Sequence, residues 1–177
     1  MEEYSAAQVW LHNLPYILMG LLSAAVLAAG WNLTPAGWLA AAGYALYTLL
    51  GALWIMLFVC PYCAYYATRS CPCGYGTVAA RLRPRARENR FAEKFRRHIP
   101  VIVPLWIIPA VAGVIFLARD FRPWLLALLV LFALDAFVAL PLLSRGTGCA
   151  RCPQKEDCPW MGNRKKAAVP PAPASKS

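Results

Sequence analysis

Four apolar runs, each of about twenty residues, dominate the chain, long enough for an α-helix rising about 1.5 Å per residue to cross a bilayer. They cover residues 14–31, 36–59, 99–118 and 123–143. A helix of a soluble bundle would carry a polar stripe on its outward side. These runs carry almost none, and Asp135 is the only acid within them. The pattern predicts an all-α integral membrane protein with four transmembrane helices arranged as two hairpins. Residues 1–13 read as a short segment lying along the interface. Asn32-Leu33-Thr34-Pro35 reads as the first tight turn, and the stretch around Arg119 and Arg122 as the second. In the third helix, Pro104 and Pro109 each remove a backbone hydrogen bond and predict kinks. The carbonyls they free need partners from neighbouring helices.

Between the second and third runs lies a loop, residues 60–98, of different character. Its first part is rich in Cys, Pro, Gly and Tyr. From Arg85 to His98, Phe91, Phe95 and Ile99 recur every four residues among Arg87, Arg90, Lys94 and Arg97. That spacing predicts a basic amphipathic helix resting on a membrane surface or covering the cysteine site. The domain plan is therefore a transmembrane domain over 1–144 that includes the loop 60–98. A Cys-rich segment follows over 145–162, and the basic, Pro/Ala-rich tail 163–177 reads as disordered.

Composition agrees with membrane insertion. The 177-residue chain is 60% hydrophobic with a mean hydropathy of +0.48, against about 45–50% apolar residues in soluble proteins. Its start is acidic, with Glu2 and Glu3 and no Lys or Arg before Arg69. A signal peptide needs a basic start, so the first helix is expected to be retained. The net charge of +10 raises the question of nucleic acid, but the placement of the charges answers it. Sixteen of the 18 Lys and Arg residues lie in the loop 60–98 or after residue 144, and only Arg119 and Arg122 lie in the other connection. The positive-inside rule then places both termini, the loop and every cysteine in the cytoplasm, most simply at a plasma (inner) membrane. The basic residues are expected to meet anionic lipid headgroups rather than nucleic acid.

The candidate chemistry is in seven cysteines. Cys60, Cys63, Cys71 and Cys73 form C-x2-C-x7-C-x-C, and Cys149, Cys152 and Cys158 form C-x2-C-x5-C-P. In a reducing compartment such pairs point to metal ligation rather than disulfides. The expected centre is an iron–sulfur cluster or zinc in a small cytoplasmic cap, with all seven cysteines as candidate ligands. One arrangement puts Cys60, Cys63, Cys71 and Cys73 on one metal. Cys149, Cys152 and Cys158 would then hold a second, with His98 or an outside ligand as the fourth. A single site drawn from both clusters is the other. An iron–sulfur centre implies electron transfer between a cytosolic donor, or a membrane complex, and a quinone. Zinc implies a stabilised scaffold or assembly factor. Asp135, deep in the fourth helix, is the candidate proton relay, or else is satisfied by Tyr44, Tyr47, Thr48 or a proline-freed carbonyl.

The Cys-Pro-x-Cys turn resembles the metal knuckles of rubredoxin-like and zinc-ribbon sites. The second cluster resembles iron–sulfur ligand runs. Cys60-Pro61-Tyr62-Cys63 also resembles the glutaredoxin active-site sequence. Four helices with a Cys-x-x-Cys resemble quinone-linked disulfide-generating enzymes and vitamin K epoxide reductases. That resemblance implies a membrane thiol–disulfide oxidoreductase, with Cys60 attacking and Cys63 resolving.

Overall fold

Ser5 and Gln8 start the first helix earlier than hydropathy alone predicts. The Ser5 hydroxyl accepts the Gln8 N–H at 3.3 Å, and the Gln8 side chain accepts the Ser5 N–H at 2.8 Å. This reciprocal cap satisfies two otherwise orphaned donors, so α1 runs Ala6–Gly30 and absorbs the segment expected along the interface. Thr34 caps α2 (Pro35–Phe58), with Pro35 in its first turn. The computed structural model describes residues 3–156, 158, 159 and 161, with backbone alone at 147 and 148. The expected disordered tail 163–177 lies outside them.

Among the described residues all regular structure is helical. After α2 come α3 (Tyr75–Leu82), α4 (Phe91–His98), α5 (Pro104–Arg119) and α6 (Pro123–Leu134). A π-helical segment, Asp135–Ala139, then leads into α7 (Leu140–Ser144). Four stretches are long and apolar enough to cross a membrane: Ala6–Gly30, Pro35–Tyr62, Glu88–Arg119 and Pro123–Ser144. α1 packs against α2, α5 and α6. Met19, Leu27, Tyr44, Leu105, Phe132, Ala136 and Leu140 form the main core. The outward faces are apolar as well, Leu39 and Leu49 being 75% and 69% exposed. That is the reverse of a soluble bundle's pattern.

The prolines act differently from the two expected kinks. Pro104 does not interrupt a helix. It opens α5, after the 3₁₀ turn Ile99–Val101. Only Pro109 lies inside, and its missing N–H frees the carbonyl of Leu105. The Tyr44 hydroxyl donates to that carbonyl at 2.7 Å, and the Tyr47 hydroxyl donates to the carbonyl of Val101. The fourth helix behaves in the same way. In the π-helical register the carbonyl of Ala136 would meet residue 141, which is Pro141 and has no N–H. The Trp106 indole N–H donates to it instead, at 3.3 Å. Three aromatic donors from neighbouring helices thus serve the backbone acceptors left open near three prolines.

The two tight connections meet at one end. The Arg122 guanidinium donates to the carbonyls of Ala29 at 3.0 Å and Gly30 at 3.2 Å, and also bonds the Asn32 side chain. It caps the last turn of α1, where a cation is favoured by the helix dipole. One of the two basic residues at this end therefore has a local structural task.

Candidate functional site

All seven cysteines belong to the opposite end. α2 ends at Phe58, and Cys60–Tyr62 turns through a single 3₁₀ step, with the Cys63 N–H bonded to the Cys60 carbonyl at 3.0 Å. The chain then folds back on itself. Ala67 takes a positive φ of 61°, and its N–H reaches the Gly76 carbonyl at 3.1 Å. Gly74, at φ 72°, is in the left-handed region that glycine adopts without penalty. It leads into α3, an eight-residue helix too short to stand out in the sequence. The Tyr66 hydroxyl fastens α3's far end by donating to the Arg83 carbonyl at 2.7 Å. Arg83 in turn donates to the carbonyl of Leu57 near the end of α2, at 3.1 Å.

Glu88–Arg90 forms a 3₁₀ turn before α4, so the expected helix starts later than Arg85. The reason is tertiary: the Ala86 N–H is held by the Pro61 carbonyl at 2.9 Å. Phe91 is buried, and Lys94 lies over the ring of Tyr62 at 5.7 Å. The segment thus covers the first cysteine turn.

The N-terminal helix also reaches this end. The Asn13 side chain donates to the Cys73 carbonyl at 3.1 Å, and the Tyr4 N–H donates to the Arg69 carbonyl at 3.0 Å.

The second cysteine segment lies against the first. The Gln154 side chain accepts the Ala64 N–H at 2.9 Å and donates to the Tyr62 carbonyl at 3.3 Å. It thereby clasps both peptide groups that flank Cys63. The Tyr65 hydroxyl donates to the Arg151 carbonyl, next to Cys152, at 2.9 Å.

All seven cysteines are free and half-buried. Burial pushes the thiols of Cys63 and Cys73 up to about 12, and neighbouring thiols add to the effect. Cys149 and Cys152 are raised for the same reasons. These groups are neutral thiols at pH 7. Among the described residues no three Cys, His, Asp or Glu side chains are gathered tightly enough to hold an ion as they stand. The His98 ring stacks on Phe58 at 5.1 Å and meets Trp54 at 5.8 Å, near the end of α2.

Asp135 is buried at the start of the π-helical segment. The partners expected for it are otherwise engaged. Tyr44 and Tyr47 serve proline-freed carbonyls, and Thr48 bonds the Tyr44 carbonyl at 3.0 Å. Its Oδ2 is buried without a hydrogen bond among the described residues. Asp135→Asn is therefore expected to change stability by less than about 1 kcal/mol, since no bond at that oxygen is lost. Thermal unfolding in detergent measures this. A large loss would mean an ionised carboxylate held by a partner.

Sequence reasoning missed Gln154 and Asn13, because a lone amide carries no local signal of its tertiary partner. Compared with known protein families, curated proteins and solved structures, the chain finds no match.

Proposed function

We propose that this chain is a multi-pass membrane protein whose cysteine end holds a thiolate-ligated metal centre, iron–sulfur or zinc, at the cytoplasmic face. The centre passes electrons between a cytosolic donor and the membrane quinone pool. The observation that carries this reading is the clasp of the two Cys segments by Gln154 and Tyr65, directly on the ends of α1 and α2. Neutral thiols do not attract one another. A divalent ion or cluster that displaces their protons supplies the attraction that draws them together. A centre seated on the helices themselves, with no tether, lies close to anything bound within the membrane. Asp135 is the proposed proton relay. The exposed Arg81, Arg83, Arg85, Arg87 and Arg90 meet anionic headgroups around the site.

Metal analysis and an absorption spectrum of anaerobically purified protein test the reading. A broad brown absorbance with bound iron supports electron transfer. Colourless protein with stoichiometric zinc moves the function to a stabilised scaffold or assembly factor. Protein with neither metal overturns both. Under the electron-transfer reading, Asp135→Asn keeps metal and fold but slows quinone-linked turnover. Labelling single engineered cysteines from either side of the membrane tests the orientation.

The thiol–disulfide reading makes a different demand. An exchanging pair needs thiolates favoured by their surroundings, whereas burial holds the resolving thiol of that reading, Cys63, up at about 12. Metal-free protein at pH 7.5 should therefore alkylate at Cys63 at least about tenfold more slowly than free cysteine, whose thiol lies near 8.5. Faster alkylation would revive the oxidoreductase.

A further inference from the structure

We infer that the headgroup phosphate of an anionic phospholipid binds beside Phe58, at the cysteine end of α2, held by the guanidinium groups of Arg83 and Arg97. This rests on the membrane reading above and turns its general attraction for headgroups into one defined site.

Two arginines do the same structural work at opposite ends of the bundle. At one end Arg122 donates to the carbonyls of Ala29 and Gly30 in the last turn of α1, and lies over the Trp124 ring at 5.3 Å. At the other, Arg83 donates through Nη1 to the carbonyl of Leu57 in the last turn of α2, at 3.1 Å, and lies over the Phe58 ring at 5.2 Å. That carbonyl is open because the residue four positions on is Pro61, which has no N–H. The two arginines differ in charge balance. The Arg122 Nε has the Asp120 Oδ2 at 3.2 Å. Arg83 has no carboxylate partner among the described residues, and its Nε and Nη2 are open to an anion.

The neighbours of Arg83 do not supply the missing charge. Glu88 and Glu93 are the only acids between residues 60 and 98. Glu88 pairs with Arg85, and Glu93 with Arg90 at 2.9 Å. Arg97 is exposed and, among the described residues, has no acid within ion-pair reach. It directly precedes His98, whose ring stacks on the same Phe58 at 5.1 Å. Two unbalanced guanidinium groups thus stand beside one aromatic stack.

The stack also fixes the depth. Phe58 ends the long apolar α2, and Trp54, one turn further in, lies 4.3 Å from it and is 37% exposed. Directly after His98, Ile99 and Pro100 begin the next apolar run. Aromatic rings at the boundary between an apolar helix and a basic loop mark the headgroup level. A phosphate there can take paired N–H bonds from a guanidinium, while the carbons of the same lipid meet Trp54. Arg81, Arg87 and Arg96 are exposed and also lack acid partners among the described residues. Their positive field favours a headgroup of net negative charge over a zwitterionic one.

The test uses full-length protein in mild detergent, titrated with phosphatidylglycerol or phosphatidylcholine of identical acyl chains, with bound lipid counted by native mass spectrometry. Phosphatidylglycerol should bind at least about tenfold more tightly than phosphatidylcholine. Arg83→Gln and Arg97→Gln should each weaken it about fivefold, the effect of one basic residue near a lipid charge. Arg85→Gln and Arg90→Gln should each weaken it less than about twofold, because their charges are balanced within the protein. Arg97 makes no side-chain hydrogen bond or ion pair among the described residues, so its variant decides the question even where Arg83→Gln does not fold. Equal affinity for the two lipids would overturn the site. Equal losses in all four variants would overturn it too, leaving only a diffuse attraction. Release of phosphatidylglycerol by inorganic phosphate, but not by sodium chloride of equal ionic strength, would overturn the lipid assignment in favour of a free anion. Wild-type protein that does not float with phosphatidylglycerol vesicles in a density gradient would overturn the membrane reading itself, an outcome distinct from lost lipid selectivity.

Discussion

Gly76→Ala is expected to open the cysteine end while leaving the long helices in place. The added Cβ would lie 2.2 Å from the Tyr65 carbonyl oxygen and 3.1 Å from its carbonyl carbon. Both are backbone atoms, so no side-chain rotation relieves the clash, and one strand of the fold-back must move. The movement breaks the Ala67 N–H bond to the Gly76 carbonyl and pulls Tyr65 away from Arg151. The cost should reach about 3 kcal/mol, the upper part of the usual range for overpacking. Native-state labelling with a maleimide should then count more reactive thiols per chain than in wild type, while circular dichroism keeps most of its helical signal. Gly43 provides the control, because a Cβ there meets nothing within 4 Å. Unchanged labelling of Gly76→Ala would mean that the close approach of 65 and 76 is wrong.

Tyr44→Phe should destabilise the bundle by about 2 kcal/mol, the cost of leaving a buried carbonyl unsatisfied. Interhelical hydrogen bonds in membranes average only about 0.6 kcal/mol, because the loosened state finds other partners. The carbonyl of Leu105 is a special case: with Pro109 one turn on, its own helix can never serve it. Tyr47→Phe should cost less, since its partner Val101 is half-exposed and water can replace the hydroxyl. The decisive variant combines Tyr44→Phe with Pro109→Ala. Restoring the N–H at 109 gives the Leu105 carbonyl an intrahelical donor, so the double variant should recover part of the loss. Unfolding in a detergent titration of the four proteins measures this coupling. Additive losses would show that the hydroxyl matters for some reason other than the proline.

Much of the architecture could be read from local pattern. Runs of about twenty apolar residues leave few alternatives to long helices. Asn32 through Pro35 announces a turn, and the C-x2-C spacings announce two tight knuckles. The early start of α1 was also legible, since Ser5 and Gln8 stand at capping-box spacing, but hydropathy obscured it. Prolines signalled open carbonyls without saying what would serve them. The aromatic residues that do so, Tyr44, Tyr47 and Trp106, lie thirty to sixty-one positions away. Pro104 at the start of a helix and Pro109 inside one look alike in the sequence. The neighbouring 3₁₀ turn separates them.

The sequence by itself determined the number of long apolar helices, their hairpin order, and the gathering of basic residues and cysteines into the same connections. Each depends on residue type and short-range spacing, which act before any distant contact forms. Tertiary structure alone decided that the two cysteine segments lie against each other, that His98 belongs to an aromatic stack, and that Asp135 keeps a buried oxygen without a hydrogen bond among the described residues. Those outcomes depend on pairs such as Gln154 with Ala64 or Asn13 with Cys73, separated by ninety and sixty positions. A polar side chain can bond any of many backbone groups with nearly equal energy. Packing of the helices settles which one comes within reach, and no local pattern encodes it.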